Sequence, residues 1–222
     1  MDEEITWEAI DQRIAAAVNE IIGALAAHTV DLDPHGLVKL RGQVQQHLAV
    51  SALPPLRTDD FAYPDGPLTT WTQYIRQPSV LDSHLVAPVT DNGLPYGITM
   101  AVTAPLQRIV AAVSFSASGN VRLILRDGTD DAAVISVEST GLVIQRRADL
   151  SEVTRLSLFE LLPAMTDELL CDFSVIGQTV SLNVNGVPIH TFETAGTTGD
   201  AVSVALTNGG RVNSITIFGA AA

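Results

Sequence analysis

The sequence predicts a mainly β protein, an antiparallel two-sheet sandwich preceded by an N-terminal α-helical, coiled-coil-like arm. Three observations predict it. Thr179-Val180-Ser181-Leu182-Asn183-Val184 alternates polar and apolar residues, Asn185-Gly186 follows, and Val187-Pro188-Ile189-His190-Thr191-Phe192 returns, the pattern of a hairpin with a two-residue turn. Similar short runs recur from about Thr58 onward, separated by turn residues, as in all-β sandwiches and barrels. Before Pro54-Pro55 this period is absent, and apolar residues return instead every three to four positions.

The first helix is expected over Trp7 to Ala27. Thr6 caps it, Ile5 and Ile10 form a hydrophobic staple, and Glu8 sits at the positive end of the helix dipole. Trp7, Ile10, Ile14, Ala17, Ile21, Ala24 and His28 form a heptad seam, widened by Val18, Ile22 and Leu25. Such a face needs a partner. Either it packs on its own β domain, or, the reading preferred here, copies of the chain associate through Ile10, Ile14, Ile21 and Leu25. Residues 28–36 interrupt the helix, and Asp33 then caps a second one with Pro34 at its first position. Leu37, Leu40, Val44, His47 and Leu48 stripe this helix to about Val50, out of phase with the first. The expected boundary divides a stalk, 1–54, from a β domain, 55–222.

In the β domain strands are expected at 68–77, 97–103, 108–117, 120–126, 132–138, 141–147, 152–160 and 168–176, followed by the hairpin above. Ala201–Thr207 and Arg211–Phe218 form a further expected pair, joined through Asn208-Gly209-Gly210. One polar and one apolar face per strand favours two packed sheets. Cys171, the single cysteine, lies on an apolar alternation and reads as a buried strand residue. Hydrophobic residues make up 46% of the 222 residues and charged ones 17%, a composition outside the disordered range. Twelve Lys+Arg against twenty-five Asp+Glu, a net charge of −13, exclude a basic nucleic-acid binder. No apolar run is long enough for a membrane span, and the acidic start, Met-Asp-Glu-Glu, lacks the pattern of a secretory signal, so synthesis in the cytoplasm without export by that route is expected.

Phe61-Ala62-Tyr63-Pro64-Asp65-Gly66-Pro67-Leu68-Thr69-Thr70-Trp71-Thr72 resembles the opening of many concanavalin A-like (laminin-G-like) jelly rolls. Val180 to Phe218, with its Asn-Gly hairpin, Thr198-Gly199 loop and apolar last strand, resembles their closing strands. Ala26-Ala27-His28 and Asp33-Pro34-His35-Gly36 resemble the shaft segments of tailed-phage fibre and minor tail proteins, although here the chain after Gly36 continues directly into a helix. Together the resemblances imply a homotrimeric phage receptor-binding protein at the virion tail tip. Its partners would be tail or baseplate proteins and a host cell-wall glycan. The alternatives are a structural tail or capsid decoration protein without ligand, and a glycan-degrading enzyme of the same fold.

Glucanases of this fold need paired carboxylates on one strand face. No Glu-x-Asp or Asp-x-Glu pair falls within an expected strand, and Pro163 breaks the nearest acidic group, Glu160, Asp167, Glu168 and Asp172, so no catalysis is expected. Sugar recognition calls for exposed aromatic and planar polar side chains. Tyr96 and Asn92, in the loop Asn92 to Gly97, and Tyr74 are the candidates. Arg122, Arg126 and Arg146 occupy polar positions of neighbouring expected strands and could hold an anionic glycan or teichoic phosphate by bidentate contacts; pairing with Glu138 and similar acids is the plainer alternative. No cofactor is expected. His28 and His35 could meet a metal ion on a trimer axis, or simply fill the coil. Asp127 and Asp130, in Asp127-Gly128-Thr129-Asp130-Asp131, could hold calcium at the rim, although Asp-Gly is first a turn signal.

Overall fold

The computed structural model describes residues 55–87, 94–116, 118–162, 167–195 and 198–221. The expected stalk helices, with Ile10, Ile14, Ile21, Leu25, His28 and His35, lie outside the described residues, as does Asn92.

The described chain forms fifteen strands and one four-residue helix. They are β1 (Pro55–Asp59), β2 (Gly66–Pro67), β3 (Thr72–Gln73), β4 (Ser79–Leu81), β5 (His84–Val86), β6 (Tyr96–Phe115), β7 (Asn120–Asp127), β8 (Ala133–Glu138), β9 (Leu142–Arg146), β10 (Glu152–Ser157), α1 (Leu158–Leu161), β11 (Glu168–Ile176), β12 (Thr179–Val184), β13 (Val187–Glu193), β14 (Ala201–Thr207) and β15 (Gly210–Ala221). All pairings are antiparallel. The first sheet runs β13-β12-β11-β6-β15-β5-β4-β2, with β1 also on β15. The second runs β10-β9-β8-β7-β14-β6-β3.

β6 belongs to both sheets. Its first part pairs with β14 from Tyr96 to Ala101, and its second with β11 and β15 from Leu106 to Phe115. The two strands expected at 97–103 and 108–117 are therefore one continuous strand. At the crossing, Gln107 is fully buried and its Nε2 donates to Val102 O at 2.6 Å, while its Oε1 accepts the Arg126 backbone N–H at 2.7 Å. These bonds satisfy backbone groups where the regular ladder changes partners.

The period-two reading places the core. Cys171, Phe173, Val175, Leu182 and Ile109 from the first sheet meet Leu123, Leu125, Ile135, Val143 and Val204 from the second, all nearly inaccessible. Burying each of the large aliphatic or aromatic side chains contributes about 1.5–3 kcal/mol. Cys171 is buried as expected, and desolvation pushes its thiol up to about 12, which leaves it inert at neutral pH. The Asn185-Gly186 turn has positive φ at both residues, 51° and 78°, as a two-residue hairpin between twisted strands requires.

Three expected elements differ. Asn208-Gly209 does not join a hairpin: β14 pairs with β6 and β7, and β15 with β1, β5 and β6, so the turn passes between sheets. Both strands carry core residues, and β6 already occupies the place beside each. The strand expected at 152–160 ends at Ser157, where α1 begins. The strand expected at 68–77 keeps only two ladder pairs, Thr72 with Thr99 and Gln73 with Ile98. Here the chain is organised by Asp59 instead. Its Oδ2 accepts bonds from Tyr63 Oη at 2.8 Å and Trp71 Nε1 at 2.6 Å, and the Arg57 guanidinium lies 3.8 Å from the Trp71 ring centre. Trp71, 7% exposed, is thus a structural anchor of the stretch that resembles a jelly-roll opening.

Candidate functional site

Four residues singled out from the sequence, Tyr74, Arg122, Arg146 and Asp127, gather on the outer face of the second sheet. Strand alternation puts them there: Leu123, Leu125, Ile135, Val143 and Val204 point inward, so their neighbours point out. Across the sheet, Arg122 stands opposite Ala205 on one side and Ser136 on the other. Arg146 stands opposite Val134, which faces Ile124, which faces Ser203, which faces Thr99. Arg122 and Arg146 are two strands apart and offset by two residues, about 12 Å between backbones, a span two arginine side chains close. Ile124, Val134, Ile144 and Ser136 form the buried floor between them.

The two arginines are held differently. Arg146 Nε donates to Ser136 Oγ at 3.2 Å and its Nη1 to Leu150 O at 3.0 Å. Arg122 Nε is buried and has no hydrogen-bond partner, and among the described residues no ion pair involves Arg122. Burial, and then the neighbouring charge of Arg146, lower the Arg122 pKa; Tyr74 and Glu138 act in the opposite sense. Glu138 thus acts on Arg122 without closing an ion pair, and the plainer reading of Arg122 as a strand-acid partner is not realised.

Tyr74 follows β3 and is fixed through its backbone N–H, which donates to Gly97 O at 2.9 Å. Gly97 lies so close to β14 that a Cβ there would stand 2.2 Å from Val204 O, so no side chain fits. With Gly97 and Ala205 small, the half-buried phenol of Tyr74 comes within electrostatic reach of Asp127 and Arg122. Burial and Asp127 raise its pKa, and Arg122 opposes them. Asp127 Oδ2 lies 2.5 Å from Ser203 Oγ, which lies 2.8 Å from Thr99 Oγ1. Thr99, Ser136 and Ser203 complete the face. No motif marks them; the signal that could have found them is the strand register, which aligns polar positions of non-adjacent segments.

Other expected site residues lie elsewhere. Arg126 is a correction: its side chain is fully buried, with Nη1 donating to Thr194 Oγ1 at 2.6 Å and Nη2 to Gly177 O. A positive φ of 55° at the β7–β14 register shift turns it away from the outer face. Tyr96 is a second correction: it is a strand residue opposite Leu206, packed against the core, with the Arg76 guanidinium 5.8 Å from its ring centre. Asp130 is exposed in the turn after β7, and among the described residues no group of three or more His, Cys, Asp or Glu could hold a metal ion.

Two outer-face carboxylates also bear on chemistry. Glu138 pairs in register with Asn120 at one end of β7, and Asp127 ends the same strand. Seven residues of strand rise separate them by about 20 Å, against the roughly 5–9.5 Å that a glycosidase pair requires.

No protein-family model matches this sequence, and no curated protein matches it. Solved structures do. A GlcNAcα1-4Gal-releasing endo-β-galactosidase from Clostridium perfringens aligns with a TM-score of 0.54 at 7% identity, covering 75% of this chain and 62% of that one. The carbohydrate recognition domain of Emp47p aligns with a TM-score of 0.50 at 9% identity, covering 76% and 94%. An endo-acting O-glycanase structure from the human gut microbiota aligns with a TM-score of 0.50 at 10% identity, covering 75% and 100%. Identities this low speak to fold alone, and in fold the β domain is a jelly-roll-like sandwich of two antiparallel sheets.

Proposed function

We propose that the sandwich is a glycan-binding module and that the outer face of its second sheet holds the sugar. The observation that carries this reading is the convergence of a half-buried tyrosine, two arginines and the Asp127-Ser203-Thr99 hydrogen-bond group on one apolar floor. A partly exposed aromatic ring and planar guanidinium donors, held above a closed floor, are elements that bind a hydroxylated ring. The wide spacing of Asp127 and Glu138 favours binding without cleavage. Glycan-array binding by the full chain tests the reading. Tyr74→Ala should weaken any hit at least tenfold with unchanged thermal melting; an empty array, or hits indifferent to this change, would overturn it.

The finer reading is a homotrimeric receptor-binding protein of a tailed phage, with the sandwich facing a host glycan. It draws its support from the heptad seam of Ile10, Ile14 and Ile21 and from the Ala-His and Asp-Pro-His-Gly stretches. Three modest sites on one trimer would raise avidity beyond that of one site. Mass photometry at micromolar concentration should show a trimer that Ile14→Asp with Ile21→Asp dissolves; a clean monomer sinks this part.

A further inference from the structure

We propose that the sugar bound on this face carries an oxyanion, a carboxylate, sulfate or phosphate group, seated between Arg122 and Arg146 above Ser136. The inference rests on the glycan-binding reading and deepens it. Like charges two strands apart on a buried floor repel each other, and a sheet tolerates the pair only at a cost. Two other arginines are compensated: Arg108 meets Asp172 with two bonds of 2.8 Å, and Arg155 meets Glu152 at 2.8 Å. Arg122 has no such pair among the described residues, and its Nε, like those of Arg126 and Arg211, is buried without a hydrogen bond. A guanidinium with an unsatisfied Nε beside a second one that is already oriented, by Ser136 and Leu150, is a preformed fork for a planar or tetrahedral oxyanion.

The groups facing this fork set its selectivity. Tyr74 acts on Arg122 from the β3 side and Glu138 from the β8 side, while Asp127, at the end of β7, acts on Tyr74. The acids keep a diffuse anion from being drawn in nonspecifically, as does the net charge of −13. Selection then depends on an anionic group delivered at the right distance from a sugar ring that meets Tyr74. Desolvation of Arg122 also lowers its pKa, and a bound anion would relieve that cost.

The test is an array of neutral, uronic- or sialic-acid-bearing, and sulfated or phosphorylated oligosaccharides, read with the full chain, Arg122→Gln and Arg122→Lys. Hits are expected among the acidic sugars, at least tenfold weaker in Arg122→Gln, partly retained in Arg122→Lys, weakened by added salt and competed by inorganic sulfate. The acidic arms separate carboxylate from sulfate and phosphate as the preferred group. Thermal melting confirms that each variant folds. Neutral hits that are lost in Tyr74→Ala and kept in Arg122→Gln would overturn the oxyanion while leaving the glycan-binding face standing. An array empty in every arm would overturn both.

Discussion

The outer faces of the two sheets hold their central arginines differently. On the first sheet, Arg108 and Asp172 form a bidentate ion pair with both side chains less than one-fifth exposed, and the Arg108 guanidinium lies 4.9 Å from the Phe218 ring centre. Ser114, Asn213 and Glu168 link by hydrogen bonds on the same face. On the second sheet, Arg122 and Arg146 lie on one face two strands apart and, among the described residues, neither meets a carboxylate; the Arg122 Nε has no hydrogen bond, a state shared on the first sheet by the Arg211 Nε. A pair that satisfies itself has little left for a ligand. A cation kept without a partner costs stability, and such costs are tolerated where they serve binding.

Substitutions on the two faces, and at the end of the sandwich between them, separate these roles. Arg126→Ala should have the largest effect, a loss of about 3 kcal/mol in chemical denaturation, because it empties a buried space and removes the donors that meet Thr194 Oγ1 and Gly177 O. A loss below about 1 kcal/mol would mean that this arginine does not hold the end of the sandwich. Asp172→Ala should cost about 1–3 kcal/mol by leaving the largely buried Arg108 guanidinium uncompensated. A double-mutant cycle with Arg108→Ala should recover most of that as coupling, and coupling near zero would erase the contrast between the faces.

The sheets also share one pH-sensitive link. His190 on β13 lies 2.7 Å, through Nε2, from Gln145 Oε1 on β9 and stacks at 5.3 Å on Phe192. Burial lowers its pKa below the ordinary histidine value of 6.5, so the folded state favours the neutral ring. The contribution is present above pH 6.5, where both states are neutral, and is lost as the pH falls below it, because the unfolded chain then binds a proton the folded chain refuses. His190→Gln should flatten that slope between pH 6.5 and 5 in denaturation experiments, by under about 1 kcal/mol; an unchanged slope would assign it to other groups. Arg122→Gln should change stability least, within about 0.5 kcal/mol and toward a gain. A larger loss would class it with the compensated arginines of the first sheet.

What the sequence makes legible follows from the range of the physics involved. Alternation and turn chemistry are local, so β7, β8, β9, β11 and β12 fall close to their expected places and Asn185-Gly186 turns as its residues require. Pairing is not local: nothing near residue 208 says that β6 will occupy both neighbouring positions, and the expected hairpin becomes a passage between sheets. The same limit divides the three strand arginines. Arg122 and Arg126 share the polar parity of β7, but the irregularity at Arg126, written in no residue type, sends one outward and the other into the interior. Tyr74 joins the face from a loop whose position depends on Gly97, twenty-three residues later in the chain.

A single strand threaded through both sheets also fixes how the domain comes apart. β6 supplies the ladder for β14 in one layer and for β11 and β15 in the other, so neither layer can be peeled away while the other stays intact. Unfolding should therefore be one cooperative event, with amides of both layers exchanging hydrogen at a common global rate rather than in two tiers. It also makes the domain a poor substrate for splitting into complementary fragments within residues 96–115, since a cut there severs two layers at once.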